Sequence, residues 1–201
     1  MKSLVILYFF ISHSTFGQSL ILLIGNSEKL CYKEHFLVIS DTLPNELSKF
    51  NAIFIFSNST SQLKSKDIER IINFVENGGG IYSGSENWPL QAESKQITRE
   101  LYSKESYGEY DKLTANTSTQ SGNLKLNTIS KIPAGESTVA FPLDYRLTVE
   151  AWIDDQPLIL SGTYGKGRVI IDGGYSRFYC DHSTEICDEM FMRFINYLIK
   201  D

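Results

Sequence analysis

The chain has no cluster of lysine or arginine: its 19 basic residues are scattered among 24 acidic ones, giving 201 residues a formal charge of −5. Proteins that track a phosphate backbone or an anionic membrane gather cations in one place, so neither nucleic acid nor anionic lipid is an expected partner. Long apolar runs are lacking as well. Leu4 to Ile11 is too short to cross a bilayer, and no integral membrane segment is expected in the mature chain. Histidine occurs three times, and neither His13 nor His35 has a partner at metal-ligand spacing. His182 lies between Cys180 and Cys187 as Cys-x-His-x4-Cys, which offers three ligands at a spacing foreign to zinc sites, so no metal is expected. Gly165-Lys166-Gly167 lacks the spacing and the following helix of a phosphate loop; it reads as a turn, and no cofactor is implied.

Cysteine is also sparse, with Cys31, Cys180 and Cys187 alone. In an oxidising compartment Cys180 and Cys187 would close a short loop and leave Cys31 over; the alternative is buried, unpaired thiols. The compartment is suggested by the first residues. Lys2, the apolar run and the small residues Thr15 and Gly17 follow the plan of a signal peptide over residues 1–17, cleaved before Gln18. The competing reading is an ordinary first strand and loop. On the first reading the protein is exported, periplasmic or secreted, and residues 18–201 form one domain. At 42% hydrophobic residues that length buries a sizeable core.

Within it, Leu20 to Ile24, Phe36 to Ile39 and Ala52 to Phe56 are continuous apolar runs, the pattern of strands covered on both faces. Ser65 is placed to cap a helix whose Ile68, Ile71, Ile72 and Val75 share a face. Asn77-Gly78 ends that helix, and Gly79-Gly80 lead into a strand, Ile81-Tyr82-Ser83. Alternating strands and helices predict a parallel sheet with right-handed crossovers. Residues of about 102–130 turn polar and form an excursion. Leu147 to Trp152 alternates as a half-buried strand, and Pro157 to Gly162 turns through Tyr164 to Gly167 into Arg168 to Asp172 as a hairpin. A helix carrying Cys187, Met190, Phe191, Phe194, Ile195 and Leu198 closes the chain.

Two blocks carry a resemblance: the helix ending Phe74-Val75-Glu76-Asn77-Gly78-Gly79-Gly80 before a strand, and Pro157 through Gly165-Lys166-Gly167-Arg168-Val169 before the closing helix. Together they resemble the class I glutamine amidotransferase-like fold, in the non-amidotransferase branch that includes trehalose-utilisation-like proteins and related periplasmic domains. The layout is also similar to domains of intraflagellar-transport and gliding-motility proteins. The resemblance implies an α/β, flavodoxin-like, mainly parallel sheet with helices on both faces and a C-terminal antiparallel hairpin. True amidotransferases carry a cysteine on the turn after the strand corresponding to Ile81 to Gly84. This chain has Gly84-Ser85-Glu86 there, so glutamine hydrolysis by the family mechanism is not expected.

The carboxyl ends of strands in open α/β sheets gather ligands, which makes Ser83, Ser85, Glu86, Asn87 and Trp88 candidates, joined by Asp172, Tyr175 and Arg177 from the end of the last strand. Arg177 is suited to a carboxylate or phosphate, and Tyr175 and Tyr179 to a sugar or aromatic ring; equally, Arg177 pairs internally with Glu86 or Asp172. A hydrolase would use Ser85 or Glu86, with His182 as base and Glu150 or Asp172 orienting it. The flanks of Ser85 do not match G-x-S-x-G. The expected role is therefore a ligand-binding or protein-interaction module for a small molecule, carbohydrate or protein, the alternative being a hydrolase acting on carbohydrate.

Overall fold

The computed structural model describes residues 20–27, 29–30, 37–105, 107–110, 117–129, 131–182 and 184–199. The proposed leader 1–17, Cys31 and His35 lie outside the described residues. In chain order the elements are β1 (Ile21–Gly25), β2 (Leu37–Ser40), β3 (Ala52–Phe56), α1 (Ser65–Glu76), β4 (Gly80–Gly84), α2 (Ala92–Tyr102), β5 (Tyr107–Tyr110), β6 (Thr117–Thr119), β7 (Thr138–Ala140), β8 (Leu147–Ile153), β9 (Gln156–Tyr164), β10 (Gly167–Asp172) and α3 (Glu185–Leu198). Eight strands form one sheet in the order β2-β1-β3-β4-β10-β9-β8-β6, and β5 pairs with β7 apart from it. The pairs from β2 to β10 are parallel, and those from β10 to β6 are antiparallel. The expected α/β sheet is thus present, with its parallel half in the doubly wound order that places a topological switch between β1 and β3.

Every residue of β3 and β4 is buried, because alternate side chains enter different layers. Phe54, Phe56, Tyr82 and Ile170 pack with Phe191, Phe194 and Leu198 of α3. Ile53, Ile55, Ile81 and Val169 pack with Ile68, Ile71 and Val75 of α1 and Ile97 and Leu101 of α2. One helical layer therefore covers each face. Among the described residues no helix is long and apolar enough to cross a membrane.

The helix α1 starts one residue earlier than a Ser65 cap requires: Ser65 is its first residue, Lys64 takes the cap position, and Asp67 Oδ2 accepts from Lys64 N at 3.1 Å. Its end is as expected, with Gly78 at φ +116° donating to the Val75 carbonyl at 3.0 Å. The β9–β10 turn packs on this helix end, where Lys166 N donates to Glu76 O at 3.0 Å.

Two elements depart from the sequence pattern. The helix α2 has no simple apolar stripe, since Glu93, Ser94 and Thr98 are buried beside Ile97 and Leu101. Within the polar excursion, β6 forms the outer strand of the main sheet, and the loop after it is pinned by Glu150, which accepts from Asn123 N at 2.7 Å, Leu124 N at 3.1 Å and Ser161 Oγ at 2.5 Å.

Candidate functional site

At the carboxyl ends of β4 and β10 the predicted residues do converge, but into a closed polar network. Paired in register, β4 and β10 end together at Gly84 and Asp172, so the segments that follow them run side by side. Ser85 N donates to Asp172 O at 2.8 Å. Asp172, fully buried, accepts from Arg177 Nη1 on both oxygens at 2.8 and 2.7 Å, from Tyr82 Oη at 2.8 Å and from Gly174 N at 3.0 Å. Arg177 Nη2 donates to Ala134 O at 2.7 Å. The internal pair of Arg177 with Asp172 is therefore the one realised. Burial, and next the charge of Asp172, push the Tyr82 hydroxyl well above the ordinary tyrosine range, so it stays a donor.

Glu86 anchors a neighbouring loop. Its carboxylate accepts from Ser176 N at 2.5 Å, from Ser137 Oγ at 2.6 Å and from Ser137 N at 3.2 Å. Ser176 Oγ in turn accepts from Glu136 N at 2.6 Å. Burial pushes the Glu86 carboxyl up to about 7 despite these donors, whose hydrogen bonds pull the other way. A carboxyl so placed is both a structural anchor and a candidate proton donor or acceptor.

The crevice at the switch between β1 and β3, where doubly wound sheets hold ligands, is occupied by the protein itself. Tyr175 Oη donates to Ser57 O at 2.7 Å, and Asn26 Nδ2 donates to Tyr175 Oη at 3.3 Å and to Tyr179 Oη at 2.9 Å. Phe56 meets Tyr175 edge to face at 5.6 Å between ring centres. Both tyrosines are buried. They are plugs, not a platform for an aromatic or sugar ligand.

The remaining candidates divide. Ser83 is buried and its Oγ donates to Ser94 Oγ at 3.1 Å. Ser85 Oγ is buried without a hydrogen-bond partner among the described residues, as is Arg177 Nε. His182 does not reach Ser85; its Nε2 lies 2.6 Å from Glu136 Oε1 in a partly exposed pair. Asn87 and Trp88 turn outward, and Trp88 is 69% exposed. Glu150, a candidate orienting carboxylate, is committed to the loop after β6. The Cys180–Cys187 bridge is not formed: Cys187 is a free, buried thiol that accepts from Thr184 Oγ1 at 3.3 Å, and Cys180 has its partner elsewhere. Closing that loop would pull Cys187 out of the α3 face, where it packs with the core. Sequence reasoning missed Ser137, Ser176, Tyr82 and Asn26, which complete the network from distant stretches. The residue after the strand, where amidotransferases hold cysteine, was the one local signal.

No family model matches the chain and no curated protein matches it in sequence. Solved structures are similar in fold. The mmIFT52 N-terminal domain aligns with a TM-score of 0.67 at 8% identity, covering 90% of this chain and 98% of that one. A cytoplasmic protein from Salmonella typhimurium gives 0.65 at 12%, covering 89% and 98%, and a ThuA-like protein from Bacteroides uniformis gives 0.61 at 10%, covering 94% and 95%. Such identities show a fold shared with a ThuA-like protein among others and nothing of activity. They also correct one expectation. Residues 1–17 follow the plan of a signal peptide and predict an exported protein, yet two proteins of similar fold from Salmonella are named as cytoplasmic. Placement in the periplasm or outside the cell is accordingly withdrawn.

Proposed function

We propose that the chain is a binding or interaction module of the non-amidotransferase branch, built on an amidotransferase-like fold that has lost its triad. The observation that carries this reading is the filled strand end: Tyr175 and Tyr179 occupy the switch crevice, while Ser85, at the nucleophile position, faces no base. Nucleophilic serine needs a hydrogen-bonded base to be activated, and the Asp172 carboxylate already accepts four hydrogen bonds, two from Arg177 Nη1 and one each from Tyr82 Oη and Gly174 N. Binding then falls to other surfaces.

One observation favours a second reading. Glu86, with its carboxyl held near neutrality, is the kind of group that exchanges protons in hydrolysis, and a glycosidase would pair it with a second carboxylate. A panel of aryl esters and aryl glycosides separates the two readings. The module reading expects no turnover above buffer by the full chain. Turnover abolished by Glu86→Gln or Ser85→Ala, in variants with unchanged thermal midpoints, would establish the hydrolase instead.

A further inference from the structure

At the end of the sheet where the parallel strands begin, opposite the filled crevice, three hollows are contiguous. The first, about 730 Å³, is lined by Arg70, Lys166 and Arg168. Arg168 also lines the second, about 420 Å³, together with Arg146. Asn123 and Tyr197 line both the second and the third, about 340 Å³, which adds Lys125 and Arg193. Among the described residues six cations and no aspartate or glutamate line this groove, in a chain whose acidic residues outnumber basic ones by 24 to 19.

The cations are not equally engaged. Arg70 is held by Asp67 at 3.3 Å, Arg146 by Asp144 at 2.8 Å, and Arg193 by Glu189, all carboxylates outside the groove lining. Lys125 and Lys166 are exposed, and neither ammonium has a partner among the described residues. Arg168 gives one hydrogen bond to Tyr197 O at 2.9 Å. Among the described residues these three cations thus face the groove without a counter-ion.

The surroundings narrow what they could bind. The carboxyl ends of α1 and α3 flank the first hollow through Asn77 and Leu198, and a helix carboxyl end carries partial negative charge. A compact multivalent anion such as phosphate is favoured at helix amino ends instead. Because Lys166 lines the first hollow, Arg168 the first and second and Lys125 the third, singly charged groups spaced along the groove suit these cations better than one compact anion. The neutral lining is rich in amides, with Asn45, Asn51, Asn73, Asn77, Asn123 and Asn196, which can exchange hydrogen bonds with hydroxyls. The central ring, Tyr197, carries Arg168 over its face at 5.6 Å and so offers no platform for stacking a base.

We propose that this groove binds an acidic oligosaccharide bearing one carboxylate per sugar, an oligouronate, with Lys125, Lys166 and Arg168 meeting its carboxylates. The proposal rests on the reading of the chain as a binding module and locates that module's site. The test is calorimetric titration of the full chain with a short oligogalacturonate. Binding is expected to weaken as salt rises and to fall about tenfold in Lys125→Gln/Lys166→Gln/Arg168→Gln. Because Arg168 also holds Tyr197, the double variant Lys125→Gln/Lys166→Gln is measured alongside; a loss of about threefold is expected with an unchanged thermal midpoint. The proposal is overturned by absent binding, by equal affinity for the neutral oligogalactose, by equal or tighter binding of polyglutamate or a single-stranded oligonucleotide, or by unchanged affinity in both variants. Release of new reducing ends would leave the groove standing and defeat the non-catalytic reading instead. Absent binding without turnover would defeat the groove alone.

Discussion

Arg177 Nη1 donates to both carboxylate oxygens of Asp172, five residues before it, and neither side chain has any exposed surface. The contact folds the end of β10 back on itself and, through Ala134 O, ties the loop before β7 to the strand end. Arg177→Met would leave Asp172 buried and unpaired, a loss of about 3–5 kcal/mol in urea unfolding. The double variant Asp172→Asn/Arg177→Met is expected to recover most of it, because no lone charge remains. A single variant as stable as the parent would show that the pair holds nothing together.

Glu86 should make stability depend on pH. Its carboxyl keeps a proton in the folded state up to about pH 7, whereas in the unfolded chain it titrates near the ordinary value of 4.5. Between these values the folded state binds more protons, so this group's contribution is complete below pH 4.5 and is lost as pH rises to about 7, amounting to about 3 kcal/mol. Urea midpoints of the parent and Glu86→Gln at pH 5 and pH 8 measure it. The parent should lose more stability than the variant over that interval; parallel changes would refute the assignment.

Ser85 Oγ is a buried hydroxyl without a hydrogen-bond partner among the described residues. Ser85→Ala removes a group that is desolvated and unrewarded, so stability should stay level or rise by about 1 kcal/mol, read from denaturant midpoints. A clear loss would mean that the hydroxyl has a bond of consequence.

Gly122 sits against the Glu150 carboxylate, where an added Cβ would come within 2.3 Å of Oε2 and 2.6 Å of Cδ. Glu150 is held by Asn123 N, Leu124 N and Ser161 Oγ and cannot swing aside without releasing them. Gly122→Ala is therefore expected to cost about 1–3 kcal/mol and to raise hydrogen exchange at Asn123 and Leu124. Unchanged exchange there would show that the loop is not anchored through Glu150.

How far the sequence foretold this structure varies by element, for physical reasons. The strands β1 and β3 are buried on both faces and so are unbroken apolar runs, while α1 and α3 each repeat apolar residues at helical spacing. The helix α2 escaped notice because Glu93 is used internally, accepting from Asn58 N at 2.7 Å and Gln62 N at 3.0 Å, so its buried face does not look apolar. The strand end was legible as a place but not as a state. Glu86 and Asp172 could be placed at one edge from the strand pattern, yet Ser137 lies 51 residues from Glu86, and nothing local announces that contact. The basic groove was invisible for the same reason, since its cations come from positions 70 to 193 and meet only in the folded sheet.

Reaction of the full chain with a fluorophosphonate, read by intact mass and peptide mapping, tests most directly whether the strand end is closed and inert. The predicted result is no adduct on Ser85, because its hydroxyl is buried and faces no base. A stoichiometric adduct on Ser85, absent from Ser85→Ala, would contradict the account.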